Sequence, residues 1–435
     1  MPTSALLQLV ARGKQDVYLT GSPQFTFFKH VYRRYQPFSV ESIPIEWDGT
    51  QNWGQRLSCL IPRKAELLSQ LFLEVDLPPL PQVNATPSSA EYIYWVNDIG
   101  HALIEDISIE IGEKEIDKHT GQWLQIWDEL TLPSGQRDGY NEMIGHYDQY
   151  PPLMSQVANG LRLSIPFRFW FCRSVGAALP LIALQAHPIR LIMHLAPFQK
   201  LWWSYNSFGP GYNPANPCPT ATPIAPTRIQ LFGDYIYLDT DERRMFAARE
   251  HEYLITQLQI APVQTIPPGQ QHVNVPLYFN HCCTEMIWVC QDSTVLSSNQ
   301  HYNFSSGSIS GTSFPTDLMQ SAILRLDGYD RFLERNAKYF RITQPYQRHT
   351  NIPVQGLYNF NNPPIPSFIY LYSFALKPED EQPSGTLNCS KIDNIIWNLT
   401  MNDAFLTNQR QVSFYGVNYN VLRIIGGLGG VAFIA

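Results

Sequence analysis

Strand-like runs dominate the chain. In "EDISIEIG" (105–112), Ile107, Ile109 and Ile111 alternate with polar residues, as in a half-buried antiparallel strand. "EKEIDKH" follows directly, which places Gly112-Glu113 at a tight hairpin turn. "LPLIALQAHPIRLIMHLA" (179–196) reads as two strands broken at Pro188, and "RIQLFGDYIYLDT" (228–240) as a strand pair or one bent strand. Further strands are expected in 272–279, 285–291, 367–376, 392–401 and 411–425. Helices are few. "TGQWLQIWDEL" (120–130) puts Trp123, Trp127 and Leu130 on one face, with Thr120 as N-cap. "TDERRMFAARE" (240–250) offers Thr240 as N-cap, acids in its first turn and arginines after them.

An internal echo organises these elements. "DISIEIGEKEIDKHTGQWLQ" (106–125) and "SAILRLDGYDRFLERNAKYFR" (321–341) both run as strand, Gly-containing turn, short return strand and polar-aromatic segment. They lie about half a chain apart, which predicts two similar β-sandwich domains in tandem. The boundary falls at the 240–250 helix. The Pro-rich stretch 208–227 before it is too long for a simple connector and reads as an exposed excursion.

Composition agrees with this picture and narrows it. Only 15% of the 435 residues are charged, against about 25% in ordinary domains. With 34 prolines and 13% aromatics, the chain is neither disordered nor a helical bundle. The low charge also predicts a surface largely covered by neighbours. No run of about 18 apolar residues suggests a membrane helix. The N-terminus does not resemble a signal peptide, so synthesis in a cytosolic compartment is expected. The seven cysteines show no repeated spacing and read as reduced buried thiols.

No catalytic constellation stands out. "HCC" (281–283) with Cys290 matches no zinc spacing. Asp239 and Asp241 sit where a strand meets a helix, which favours an N-terminal charge pair over a cation site. "GGLGG" (426–430) lacks the Gly-Lys-Ser/Thr of a phosphate loop. Four sequons occur, at Asn84, Asn303, Asn388 and Asn398. Asn84 and Asn303 fall in polar loops and are the accessible glycosylation candidates, while Asn398 lies inside a strand. Without a secretory signal, the expectation for all four is no glycan.

One stretch departs from the rest. Residues 11–38 carry Arg12, Lys14, Lys29, Arg33 and Arg34 against the single acid Asp16, a net +4 in a chain of net −7. Phe25, Phe27, Phe28, Tyr32 and Tyr35 are interleaved with the cations. A nucleic-acid arm would use cations for phosphate and rings for stacking, but the acidic remainder would repel a polyanion. An amphipathic membrane helix is disfavoured by the β-branched and aromatic content and by "GSP". The alternation in "FTFFKHVYRRY" favours a strand with a buried start and an exposed basic end.

Several motifs, in order from residue 6 to about 430, resemble the major capsid proteins of large icosahedral double-stranded DNA viruses, closest to the algal and amoebal branch. They are "LLQLVARGKQDVYLTGSPQFTFFKHVYRRY", "IEIGEKEIDKH", "LPLIALQAH", "DYIYLDTDERRMFA" with "HEYLITQLQ", "SFALKPEDEQPSGTLNCSKID" and "NYNVLRIIGGLGG". The resemblance implies an all-β, non-enzymatic protein without cofactors, built as two tandem eight-stranded antiparallel jelly rolls with long loop insertions and a few short helices. It implies a base segment at 1–24, a first roll at 25–240, a linker helix at 241–250 and a second roll at 251–435. It further implies a homotrimer forming a pseudo-hexagonal capsomer of the outer virion shell, made and assembled in the host cytoplasm. Outer towers would rise from 131–160, 201–227 and 292–320. Arg12, Lys14, Lys29, Arg33 and Arg34 would then face inward, toward neighbouring capsomers, minor capsid proteins or the internal membrane, with no direct contact to the genome. The alternative from the residues alone is a carbohydrate-binding or carbohydrate-active tandem β-sandwich, suggested by Trp202 and Trp203 in a loop and by the Asp239/Asp241 pair.

Overall fold

The computed structural model describes residues 3–80, 91–147, 160–206, 209–210, 224–297, 299–306, 316–353, 367–402 and 407–434. The chain divides into Met1–Pro37 and Phe38–Ala435. The first unit holds helices α1 (Thr3–Val10) and α2 (Lys14–Thr20). No strand occurs in residues 23–37, so "FTFFKHVYRRY" is not the first strand. The first strand begins after Pro37, where a pairing partner far along the chain is available.

In the larger unit, β1 (Phe38–Ile45), β2 (Arg56–Leu60), β3 (Leu67–Leu77), β4 (Ile104–Ile111), β5 (Lys114–Thr120), β6 (Leu161–Pro166), β7 (Ile189–Leu195) and β8 (Arg228–Leu238) come first. They form the antiparallel sheets β1-β8-β3-β6 and β2-β7-β4-β5. Then follow β9 (His251–Ile260), β10 (His272–Leu277), β11 (Cys282–Asp292), β12 (Met319–Leu326), the short β13 (Tyr329–Asp330) and β14 (Arg335–Asn336), β15 (Ile369–Ser373), β16 (Ile395–Met401) and β17 (Arg410–Ile425). These form β9-β17-β11-β15 and β10-β16-β12, with β13 and β14 both on β12. Taking β13 and β14 as one interrupted strand, both halves have the orders 1-8-3-6 and 2-7-4-5. The protein is two jelly rolls, each with two sheets face to face.

Local chemistry repeats with the topology. Gly112 and Glu113 join β4 to β5 with φ +60° and +67°. Asp327 and Gly328 join β12 to β13 with φ +49° and +85°. Both are two-residue turns with positive φ at each position, the hand that suits twisted hairpins. Each third strand carries an extra residue opposite the eighth. Ser69 sits between the pairs Leu68↔Tyr235 and Gln70↔Asp234, and Thr284 between Cys283↔Asn418 and Glu285↔Val417. Each hydroxyl donates to the carbonyl across the bulge, Ser69 to Asp234 at 3.2 Å and Thr284 to Val417 at 3.0 Å. "RIQLFGDYIYLDT" therefore forms one continuous strand opposite the bulge, and the first part of 179–196 shrinks to a two-residue strand at Leu179–Pro180.

The two cores interlock. Ile107, Ile109 and Ile111 are buried in the first, as the alternation requires, together with Ile255, Leu422 and Ile424 from the second roll. Helix α3 (Gly121–Thr131), which follows β5, places Trp123, Ile126, Trp127 and Leu130 in the second core and Leu124 in the first. Thr120 caps it, its hydroxyl accepting from Trp123 N at 3.2 Å. Helix α4 (Arg137–Ile144) occupies the described part of the expected tower at 131–160. Helix α5 (Thr240–Ala248) joins the rolls. Its N-cap is Asp239, whose carbonyl accepts from Arg243 N, so the helix is entered one residue earlier than the Thr240 reading predicts. Trp202 lies in a strand, Trp202–Asn206, paired with Glu91–Trp95, and is buried. It is not a loop tryptophan open to a sugar.

Candidate functional site

Three features remain as candidates: the N-terminal arm, the seam between the rolls, and the scattered polar residues picked out by sequence. In the arm, Gly13 N donates to Asp16 Oδ2 at 2.8 Å and Thr20 Oγ1 to Asp16 O at 2.6 Å. Asp16, the one acid, thereby helps to start α2, and among the described residues none of the arm's five cations forms an ion pair with a carboxylate. Arg12, Lys14, Lys29, Arg33 and Arg34 are all exposed. So are the rings, up to 98% for Phe28. Phe25 and Phe27 meet edge-to-face with centroids 5.0 Å apart. The arm thus combines exposed cations with exposed apolar rings, a kind of surface that monomers rarely leave contiguous in water.

The seam is polar at its rim and aromatic at its centre. Asp117 Oδ1 accepts from Leu258 N at 3.0 Å, and Ile116 O accepts from the Gln257 amide. Gln122 Nε2 donates to Gln291 Oε1 at 3.0 Å and its oxygen accepts from Tyr415 Oη. Trp123 lies between the rings of Trp127 and Tyr415, with centroids 5.5 and 5.4 Å away. The Arg173 guanidinium covers Trp127 at 4.1 Å and donates to Thr256 Oγ1 at 3.2 Å. Burial pulls Arg173 down to about 10, against the opposing pull of Asp117.

Behind the seam, His349 is clamped between two carboxylates, Nε2 to Glu285 Oε2 and Nδ1 to Glu379 Oε1, both at 2.8 Å. The His349 and Glu285 side chains are fully buried. Burial opposes charge on the ring, but the two carboxylates outweigh it and raise His349 from 6.5 to about 9. For Glu379, burial is likewise outweighed, by hydrogen bonds from His349 and Thr350, and its value falls below 4.5. The imidazolium thus contributes its full stabilisation below pH 6.5 and loses it as pH rises through 9. The Glu379 contribution is present above pH 4.5 and fades as pH falls further. From the His349 shift, about 3 kcal/mol of folding stability is expected to disappear between pH 6.5 and 9.5. Urea unfolding midpoints across that range check it. A flat profile, or one unchanged by His349→Gln, would discard the assignment.

The remaining sequence candidates are not drawn together. Asn84 lies outside the described residues. Loop composition predicts an accessible Asn303, but the residue is 2% exposed. Its Nδ2 donates to Gln300 Oε1, and its Oδ1 accepts from Ser305 N and Oγ. The polar side chains that make the segment look like an open loop instead satisfy one another inside it. Asn388 is exposed in a short strand, and Asn398 sits within β16. "HCC" opens β11, and "GGLGG" turns β17 into β18 (Leu428–Val431) through Gly426-Gly427. Among the described residues, no three His, Cys, Asp or Glu side chains are placed to hold a metal, and no helix is long and apolar enough to cross a membrane. Cys59, Cys172, Cys282, Cys283, Cys290 and Cys389 are free thiols. Burial pushes Cys59, Cys172 and Cys290 up to about 12. Thiols of that kind are not nucleophiles at neutral pH.

Comparison with known proteins covers the chain from end to end. Residues 26–239 match the family "Major capsid protein N-terminus", and residues 242–430 match "Large eukaryotic DNA virus major capsid protein". The chain is 38% identical to the major capsid protein of Pyramimonas orientalis virus, over 98% of each chain. It is 34% identical to that of Paramecium bursaria Chlorella virus 1, over 98% of this chain and 99% of the other. Its backbone matches the subunit in a quasi-atomic structure of the PBCV-1 virus capsid with a TM-score of 0.75, at 31% identity, covering 94% of this chain and all of that one. The Faustovirus major capsid protein shares the fold, with a TM-score of 0.70 at 12% identity over 97% and 96% of the two chains.

Proposed function

Since the chain belongs to the major capsid proteins of large eukaryotic double-stranded DNA viruses, structural rather than enzymatic components of the virion shell, we propose that it builds that shell as a homotrimer. Three copies give six jelly rolls, and six similar rolls fill a near-hexagonal tile. The observation that carries this reading is the identical strand order of the two rolls, joined side by side through a seam of their own. We divide the chain into an arm ending at Pro37, a first roll from Phe38 through β8, α5 as linker, and a second roll from β9 onward.

In this reading the arm lies on the inner side of the tile. Its exposed rings and its cations at 12, 14, 29, 33 and 34 meet acidic, apolar surface on minor capsid proteins, neighbouring tiles or the internal membrane. Assembly takes place in the host cytoplasm, where the buried thiols stay reduced. The outer towers expected at 131–160, 201–227 and 292–320 fall in part outside the described residues.

Light scattering of the purified protein is expected to give close to three times the 49.8 kDa chain mass. Electron microscopy is expected to show hexagonal tiles, and a stable monomer would overturn the reading. Deleting residues 1–37 is expected to leave trimer mass and far-ultraviolet spectrum unchanged while closed shells fail to form. Trimers that dissociate in that deletion would move the arm from shell contacts to trimer contacts.

A further inference from the structure

The seam inside one chain offers a template, because the two rolls correspond residue by residue. The two bulges fix how the rolls correspond: Asp234 matches Val417, because each accepts the bulge hydroxyl. Through the pairs Ser42↔Asp234 and Leu258↔Val417, Ser42 of β1 matches Leu258 of β9. By the same register, Arg228↔Asp76 matches Gln411↔Gln291, so Asp76 matches Gln291. On the other side, the turns at 112–113 and 327–328 correspond. Asn336 Oδ1 accepts from Tyr339 N at 3.1 Å, as Thr120 Oγ1 does from Trp123 N. Lys338 therefore matches Gln122.

Within the chain, β5 and the start of α3 lie against β9 and the outer face of β11. Nearly all of β11 is buried on both faces as a result. The matching strand, β3, is fully covered on one face and only in part on the other, where Gln70, Phe72, Glu74 and Asp76 remain half-exposed. A cavity of about 540 Å³, lined in part by Gln70, Phe72, Tyr140 and Arg168, lies against that face. On β1, Val40 is 53% exposed, where its counterpart Thr256 takes a hydrogen bond from Arg173. The residues that would cover this face by analogy are themselves exposed in the second roll. Leu333, in the interruption between β13 and β14, is 83% exposed, and Lys338 is exposed.

We infer that the surface formed by residues 331–338 of one copy docks on the free edge of β1 and the outer face of β3 in the next copy. Leu333 meets Val40, and Lys338 meets Asp76, an opposite-charge pair where the intrachain seam has Gln122 and Gln291. Asp76 already holds Arg162 at 2.8 Å, so the incoming ammonium completes a three-member network. This assignment rests on the trimer reading and names its contact residues.

The test is to co-express Val40→Cys and Leu333→Cys chains carrying different tags and to oxidise them mildly. Both positions are exposed, so neither change threatens folding. A covalent dimer containing both tags, absent when either variant is oxidised alone, is the expected result. Trimers of correct mass in the mixture without that dimer would overturn the interface while leaving the trimer standing. Monomers throughout would overturn the trimer, and the interface with it.

Discussion

Replacing Trp123 with alanine is expected to cost about 3–5 kcal/mol of folding stability, the range for a large aromatic removed from a core. Trp123 belongs by sequence to the first roll, yet its side chain is fully buried in the core of the second, between Trp127 and Tyr415. The loss should therefore appear in both rolls. Urea unfolding followed by fluorescence, with hydrogen exchange resolving the two halves, measures it. If exchange rises in only one half, or the cost stays under about 1 kcal/mol, the two cores are not coupled through α3. A Trp123→Phe control keeps most of the ring contact and should recover the greater part of the loss.

His349→Ala is the second large effect, expected at about 3–5 kcal/mol near neutral pH, because it strands a buried carboxylate rather than removing a favourable contact alone. Glu285 is fully buried and its Oε2 depends on His349. The double variant His349→Ala/Glu285→Gln removes the stranded charge and should regain part of the stability. If Glu285→Gln makes the His349→Ala protein worse, Glu285 has some other partner sustaining its charge. Equilibrium urea midpoints at pH 7 decide between the two.

Elements whose signal is local were readable from the chain. The Ile107-Ile109-Ile111 alternation, the 112–113 turn and the Thr120 cap each depend on residues within a few positions. The echo between 106–125 and 321–341 was readable for the same reason: turn and cap chemistry recur at fixed offsets. The misread pieces are those where a distant partner decides. "FTFFKHVYRRY" alternates like a strand, but a strand needs a neighbour, and pairing with β8 begins only at Phe38. Trp202 sits next to a Pro-rich run and looked like loop until its partner strand, more than a hundred residues earlier, came alongside. The His349 cluster gave no signal, since its carboxylates lie 64 and 30 residues away.

The exchange of core residues between the rolls has a bearing on how the chain matures on the ribosome. The first roll is synthesised before Leu422 and Ile424, which complete its core, and α3 emerges before the sheet it must cover exists. Strand β17, among the last made, lies between β9 and β11 in its sheet. Neither half can therefore finish as an independent vectorial unit, and closure has to wait for the C-terminal residues. Long-range pairing of this kind folds slowly and leaves strand edges open meanwhile.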